Sequence, residues 1–280
     1  MTGKAVFLDT SIQIAQVIHG PETKRRISDR ISNYDITVSS SVVRQEFKRR
    51  LLGEALYLLR QLNKHQSFAR VMRHVTDILP PQNARKKQIC LDILLTIHEG
   101  ASDVELTERC RRYLRTLLTQ GLNTFDAETG HILRGVGCAG LTCGVVEKSP
   151  YERYDMGSKL CSKAGSICGV VQFMRQNADA LRVLLRHLQA MEGSEKTIEI
   201  QRAEQFLQNV LDDPESASKL EPCLKVGDLL IALESRGIPV FYTMNPKESK
   251  HFCRFLKQEM VVRPVNPELE DQVEPNYTDS

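Results

Sequence analysis

No apolar run approaches the ~18 to 20 residues that a membrane-spanning helix needs. The N-terminus lacks the charged region, apolar stretch and cleavage site of a secretory signal, so a cytoplasmic protein with no membrane partner is expected. A P-loop is missing as well. Neither sign of charge dominates: the 280 residues carry a net +3, with 26% charged and 41% hydrophobic, close to an ordinary globular protein. Eight cysteines in a chain of this length do not suggest a disulfide scaffold. In a reducing cytosol, clustered ones read instead as metal ligands.

The charge that is present is unevenly placed. Residues 261–280 hold five acids (Glu268, Glu270, Asp271, Glu274, Asp279) and one base, Arg263, which leaves +7 on the other 260 residues. A moderately basic body suits a polyanionic partner, and the acidic, Pro-containing tail is expected to be disordered.

The organising stretch is AVFLDTSIQIAQVIHG, Ala5 to Gly20. Ala5 to Leu8 reads as a buried strand ending on an acid, Asp9. Thr10 or Ser11 can cap a helix from about Ile12 to His19, which Gly20 and Pro21 then stop. A carboxylate at the carboxyl end of an early strand sits where open α/β sheets bind their ligands. A short second strand, Ile36 to Ser39, follows, and Ser40 or Ser41 caps the helix after it. The apolar stripe of that helix, from Val42 to Leu62, is interrupted by Glu46, which shares the face of Val42 and Val43. Either Glu46 points into a cleft or it is solvated at the edge of the stripe. The bases Arg44, Lys48, Arg49, Arg50, Arg60, Lys64, Arg70 and Arg73 form either a solvated helix face or a path for phosphates.

Helical patterns recur at about 84–98 and 104–119, where Gly121 is expected to end the helix, and again at 170–191 and 196–211. Between them lies a glycine-rich stretch with Cys138, Cys143, Cys161 and Cys168, spaced C-x4-C, 17 residues, C-x6-C. Four thiolates suit a tetrahedral zinc ion, with an iron–sulfur cluster or plain buried thiols as alternatives. Cys90, Cys110, Cys223 and Cys253 are isolated and read as structural. Towards the end, Asp228 opens a helix running to Gly237, Ile238 to Thr243 is a strand, and Asn245-Pro246 is a turn. Taken singly, Asp228 reads as a helix cap and Asn245 as a turn residue.

The order of these pieces resembles the PIN-domain family of nucleases. The matching segments are FLDTS, TVSSSVVRQE, GDLLIALESRG and PVFYTMNPKESKHF, within residues 4–60 and 222–256. The resemblance implies an α/β fold with a small, mostly parallel sheet flanked by helices. It implies Asp9, Glu46 and Asp228 as acidic metal-binding residues, Asn245 at the fourth polar position and Ser11 at the small hydroxyl position. Asn245 departs from the aspartate usual there, and Glu248 is placed to compensate. The stretch from Gln61 to Glu221 is far longer than in compact toxin members.

On this reading 1–80 and 221–260 form the core, 81–220 is a helical insertion with a zinc segment at 131–170, and 261–280 is the tail. The implied activity is endoribonucleolytic cleavage with Mg²⁺ or Mn²⁺, and RNA is the expected partner ahead of DNA. Ser11, Lys48, Arg49 and Arg50 are the candidate nucleic-acid contacts. Lys148, Arg153, Lys159 and Lys163, among the cysteines, are candidates for substrate selection. The chemistry agrees: converging carboxylates repel one another unless a cation neutralises them. Hard oxygen ligands favour Mg²⁺ or Mn²⁺, which activate water for attack on a phosphodiester. Phosphatases of the haloacid dehalogenase type need a second Asp two residues after the first, where this chain has Ser11. A degenerate PIN scaffold that binds RNA or protein without cutting stays open, as does a homo-oligomer. A toxin of a toxin–antitoxin pair is disfavoured by length.

Overall fold

In the computed structural model, residues 3–78, 80, 83–97, 102–137, 144–148, 153–156, 169–193, 196, 198–213 and 227–262 are described. The centre of the molecule is β1 (Ala5–Leu8), whose Val6, Phe7 and Leu8 are fully buried. Successive side chains of a strand point to opposite faces. Phe7 accordingly joins the larger core with Val38, Val43 and Phe241, while Val6 and Leu8 join a second cluster with Ile12, Ile27 and Tyr242. The Phe7 and Phe241 rings stack with centroids 5.4 Å apart. Burial on both faces marks a central strand of a sheet covered by helices on each side.

Helix α1 (Thr10–Ile18) leaves β1 directly, with Asp9 at its cap position. Pro21, expected only to help stop the first helix, opens α2 (Pro21–Ile31). Strand β2 (Ile36–Ser40) lies parallel to β1, and the Ser40 hydroxyl caps α3 (Ser41–Phe47) by accepting the Val43 N–H at 3.2 Å. The helix then passes through a π-helical turn, Lys48–Leu52, into α4 (Gly53–His65). Next come α5 (Phe68–Arg73), a second π-turn (His74–Ile78), α6 (Ala84–Leu95) and the 26-residue α7 (Asp103–Glu128).

Gly121 does not stop α7. A Cβ there would stand 2.8 Å from Leu52 Cδ2, so the glycine serves close approach of α7 to the π-turn. Strand β3 (His131–Leu133) pairs parallel with β2. Strands β4 (Val146–Lys148) and β5 (Arg153–Asp155) make a small antiparallel ribbon. Helices α8 (Gly169–Gln176), α9 (Ala178–Gln189), α10 (Ile198–Asp212) and α11 (Gly227–Glu234) lead to β6 (Val240–Thr243), α12 (Pro246–Leu256) and β7 (Glu259–Val262).

The main sheet is five-stranded and all parallel, in the order β3-β2-β1-β6-β7. Two of its strands, β3 and β7, were not read from the sequence, and both lie at the edges. Val261 and Val262, expected in the tail, belong to β7. Within residues 81–220, β3 extends the sheet, and Cys90, Leu114, Leu118 and Leu185 share one core cluster with Phe7 and Phe241. Among the described residues no helix is long and apolar enough to cross a membrane.

Candidate functional site

Strand order decides where a site can form. The chain leaves β1 towards β2 and leaves β6 towards β7, in opposite directions from neighbouring strands. The connections diverge there and open a crevice at the strands' carboxyl ends, which is where doubly wound sheets bind ligands. Asp9 follows β1 and Asn245 follows β6, so both stand at this switch point.

Asp9 is held by a symmetrical arrangement. Its Oδ2 accepts the Ser11 hydroxyl at 2.8 Å and the Thr243 hydroxyl at 2.8 Å. Each hydroxyl in turn accepts a backbone N–H from the loop after β6: Met244 N to Ser11 Oγ and Asn245 N to Thr243 Oγ1, both 2.9 Å. Both hydroxyls thus donate to the same carboxylate oxygen, which orients Asp9. Committed this way, the Asp9 side chain makes no helix-cap hydrogen bond, and neither Thr10 nor Ser11 caps α1. Ser11, read from the sequence as a nucleic-acid contact, acts on Asp9 in this structure. Thr243, fully buried, was missed. Its signal was a hydroxyl residue closing a strand two positions before Asn245.

Glu46 is buried, at 7% exposure, so it is no solvated edge residue. Its Oε2 accepts the Thr10 hydroxyl at 2.5 Å, and its Oε1 pairs with Arg50. Burial pushes its carboxyl up, and the nearby charge of Asp9 adds to this. Arg50, the Thr10 hydroxyl and Arg49 oppose it. Asp228 is exposed in the first turn of α11, where the helix dipole favours a carboxylate.

Asp9 and Asp228 line one cavity of about 20 Å³ with Ile231, Ala232, Phe241, Phe252 and Cys253. That volume takes about one water-sized particle and excludes a nucleobase. Glu46 and Asn245 are not in its lining. Of the four polar positions, only Asp9 and Asp228 share the cavity. Among the described residues, no group of three His, Cys, Asp or Glu side chains could hold a metal ion. Two carboxylates beside a water-sized cavity still fit Mg²⁺ or Mn²⁺, since Mg²⁺ often binds through one or two carboxylates and keeps its waters.

The basic path divides in two. Near the site, Lys48 is 1% exposed, Arg44 pairs with Asp126 through 2.7 and 2.9 Å hydrogen bonds, and Arg50 holds Glu46. Lys48 is thus not presented to a phosphate backbone. Arg60, Lys64, Arg70 and Arg73, farther along, are exposed. Burial pushes the thiols of Cys90, Cys110 and Cys253 up to about 12, so they stay protonated; at Cys253 the Asp9 charge adds to this.

A second carboxylate, Glu234 at the end of α11, is 7% exposed and was not singled out by the sequence. Its Oε1 accepts the Val136 N–H at 3.0 Å, while Oε2 is enclosed without a hydrogen bond of normal geometry. Burial pushes this carboxyl up. The nearby Ser40 hydroxyl and the amides of Val136, Gly135 and Val42 draw it back. Glu234 thereby joins α11, which carries Asp228, to the start of α3, which carries Glu46. Gly135, Gly137 and Gly140 stand in the G-x-G-x-x-G spacing of dinucleotide-binding turns. However, β3 is an edge strand, and the next described element is strand β4, not a helix. Gly135 has its own reason: a Cβ there would stand 3.0 Å from the Phe173 ring and 3.2 Å from Glu234 Oε1.

Cys138, Cys143, Cys161, Cys168, Lys159 and Lys163 lie outside the described residues, as do the side chains of Lys148, Arg153 and Glu248. No protein-family description, curated protein or solved structure matches this chain.

Proposed function

We propose that this chain is a metal-dependent nuclease of PIN type that hydrolyses phosphodiester bonds in RNA. The observation that carries this reading is Asp9. It lies at the switch point, is oriented by two hydroxyls, and shares a water-sized cavity with Asp228. Asp9 and Asp228 would hold Mg²⁺ or Mn²⁺, which when bound supplies an activated water and neutralises charge on the leaving oxygen. The chain's own residues do the rest. Ser11 and Thr243 keep one oxygen of Asp9 occupied and so aim the other. The narrow cavity leaves the bases outside, so recognition runs through the sugar–phosphate backbone. A structural zinc on the four cysteines remains part of the proposal, resting on spacing alone.

A second reading, a degenerate scaffold that binds RNA or protein without cutting, draws support from Asn245 and from the commitment of Glu46 to Arg50 and Thr10. Purified protein incubated with labelled single-stranded RNA and DNA separates the two. With Mn²⁺, wild type is expected to cut RNA, and EDTA, Asp9→Asn or Asp228→Asn each to abolish cutting. Binding without cutting by wild type selects the scaffold. Cutting that survives both substitutions rejects the site.

A further inference from the structure

Glu46 has both oxygens occupied in this structure, one by the Thr10 hydroxyl at 2.5 Å and one by Arg50. Thr10 is the chain neighbour of Asp9, so the Glu46 carboxylate is tethered beside the Asp9 carboxylate, yet it lies outside the lining of the cavity that Asp9 shares with Asp228. Arg50, the cation paired directly with Glu46, therefore neutralises this edge of the site, with Arg49 contributing. The Arg50 side chain is 22% exposed against 8% for Glu46, so Arg50 is the more accessible member of the pair. It also sits in the π-helical turn Lys48–Leu52, a rare geometry that recurs at functional sites.

We propose that Arg50 is a built-in counter-ion that holds Glu46 until a divalent cation binds beside Asp9 and Asp228, then releases it and turns to the scissile phosphate. This rests on the nuclease reading. The physical argument is electrostatic competition: the positive guanidinium beside Glu46 repels a divalent cation approaching the same carboxylate, and each neutralises the repulsion between Glu46 and Asp9. Once displaced, a guanidinium at the cleft edge has the fork geometry that phosphate oxygens accept. Arg50 then works twice: it guards the site against the cost of unpaired buried charge without metal, and it contacts the substrate with metal.

The test is calorimetric titration of Mn²⁺ into the full-length protein, comparing wild type with Arg50→Gln, Glu46→Gln and the double variant. Arg50→Gln is expected to bind Mn²⁺ about tenfold more tightly, because a competitor is gone. The same variant is expected to cut RNA at least about tenfold more slowly, because a phosphate contact is gone. In the double variant the tightening is expected to vanish, since it depends on Glu46 being free. Should Arg50→Gln not fold, Arg50→Lys serves. Its point charge pairs less firmly, and a smaller tightening is expected. Unchanged or weaker Mn²⁺ binding in the folded Arg50 variant, with wild type still binding, overturns this inference alone. Absence of Mn²⁺ binding in wild type and in every variant overturns it together with the metal reading.

Discussion

The two carboxylate oxygens of Asp9 are not equivalent. Oδ2 receives two hydroxyl protons, from Ser11 and Thr243, and those hydroxyls are themselves fixed by backbone N–H groups. Replacing Thr243 with valine keeps the volume, removes one donor to Asp9 and leaves the Asn245 N–H without its acceptor. We expect a stability loss of about 1–2 kcal/mol and Mn²⁺ affinity about tenfold weaker. Urea denaturation and calorimetry check this, and unchanged metal affinity would remove Thr243 from the site. Glu234 makes a pH prediction. Its carboxyl is raised above the ordinary 4.5 by burial. Below that value it is protonated in both the folded and unfolded states, and its contribution to stability is fully present. As pH rises through the ordinary range, the unfolded chain ionises first, so stability falls until the folded carboxyl also ionises. Glu234→Gln is expected to flatten this part of the stability–pH curve, read from denaturation midpoints between about pH 4 and 8. A parallel curve for the variant would show that burial does not hold the proton there.

Among the elements, the long helical run from Ser41 to His65 shows where periodicity succeeds and fails. Its apolar stripe fixed the buried side, and Ser40 caps it as the sequence suggested. The π-turn was invisible, because one over-wide turn hardly disturbs a spacing read over several. Two glycines touch this turn and should respond oppositely. Gly53 has helical dihedrals, and nothing lies within 4 Å of an added Cβ. Gly53→Ala should therefore stabilise by about 0.5–1 kcal/mol. Gly121→Ala must push aside the fully buried Leu52, whose Cδ2 would lie 2.8 Å away, and should destabilise by about 1 kcal/mol despite better helix propensity. Thermal melts of both variants decide; a rise for Gly121→Ala would mean that Leu52 has room to move.

For the whole molecule, the question is whether the ends of the chain form a core by themselves. β1 is flanked by β2 and β6, which are about 200 residues apart in sequence by residue number. Residues 1–80 alone keep β1 and β2 but lose β3, β6 and β7. They also lose Phe241, which stacks on Phe7. A fragment of residues 1–80 is thus expected to lack a cooperative thermal transition by circular dichroism, since a two-stranded remnant with an uncovered face is marginal at best. A sharp transition would show that the first part folds without the second.

Local chemistry was legible in the sequence. The apolar run before Asp9, the Ser40 cap and the Glu46 that breaks a helical stripe are consequences of neighbouring residues, and they carried over into β1, α3 and the buried carboxylate. The parallel α/β architecture was what the family resemblance implied, and the main sheet is parallel throughout. What tertiary structure alone decided is everything that depends on distant partners. Thr243 reaches Asp9 across 234 positions, Glu234 reaches Val136 across 98, and Leu52 leaves Gly121 no space for a side chain. Those relations are set by strand order and by packing in a dense core, where a gap of one methyl group matters. The pattern of apolar residues says which side of an element is buried, and only the assembled sheet says against what.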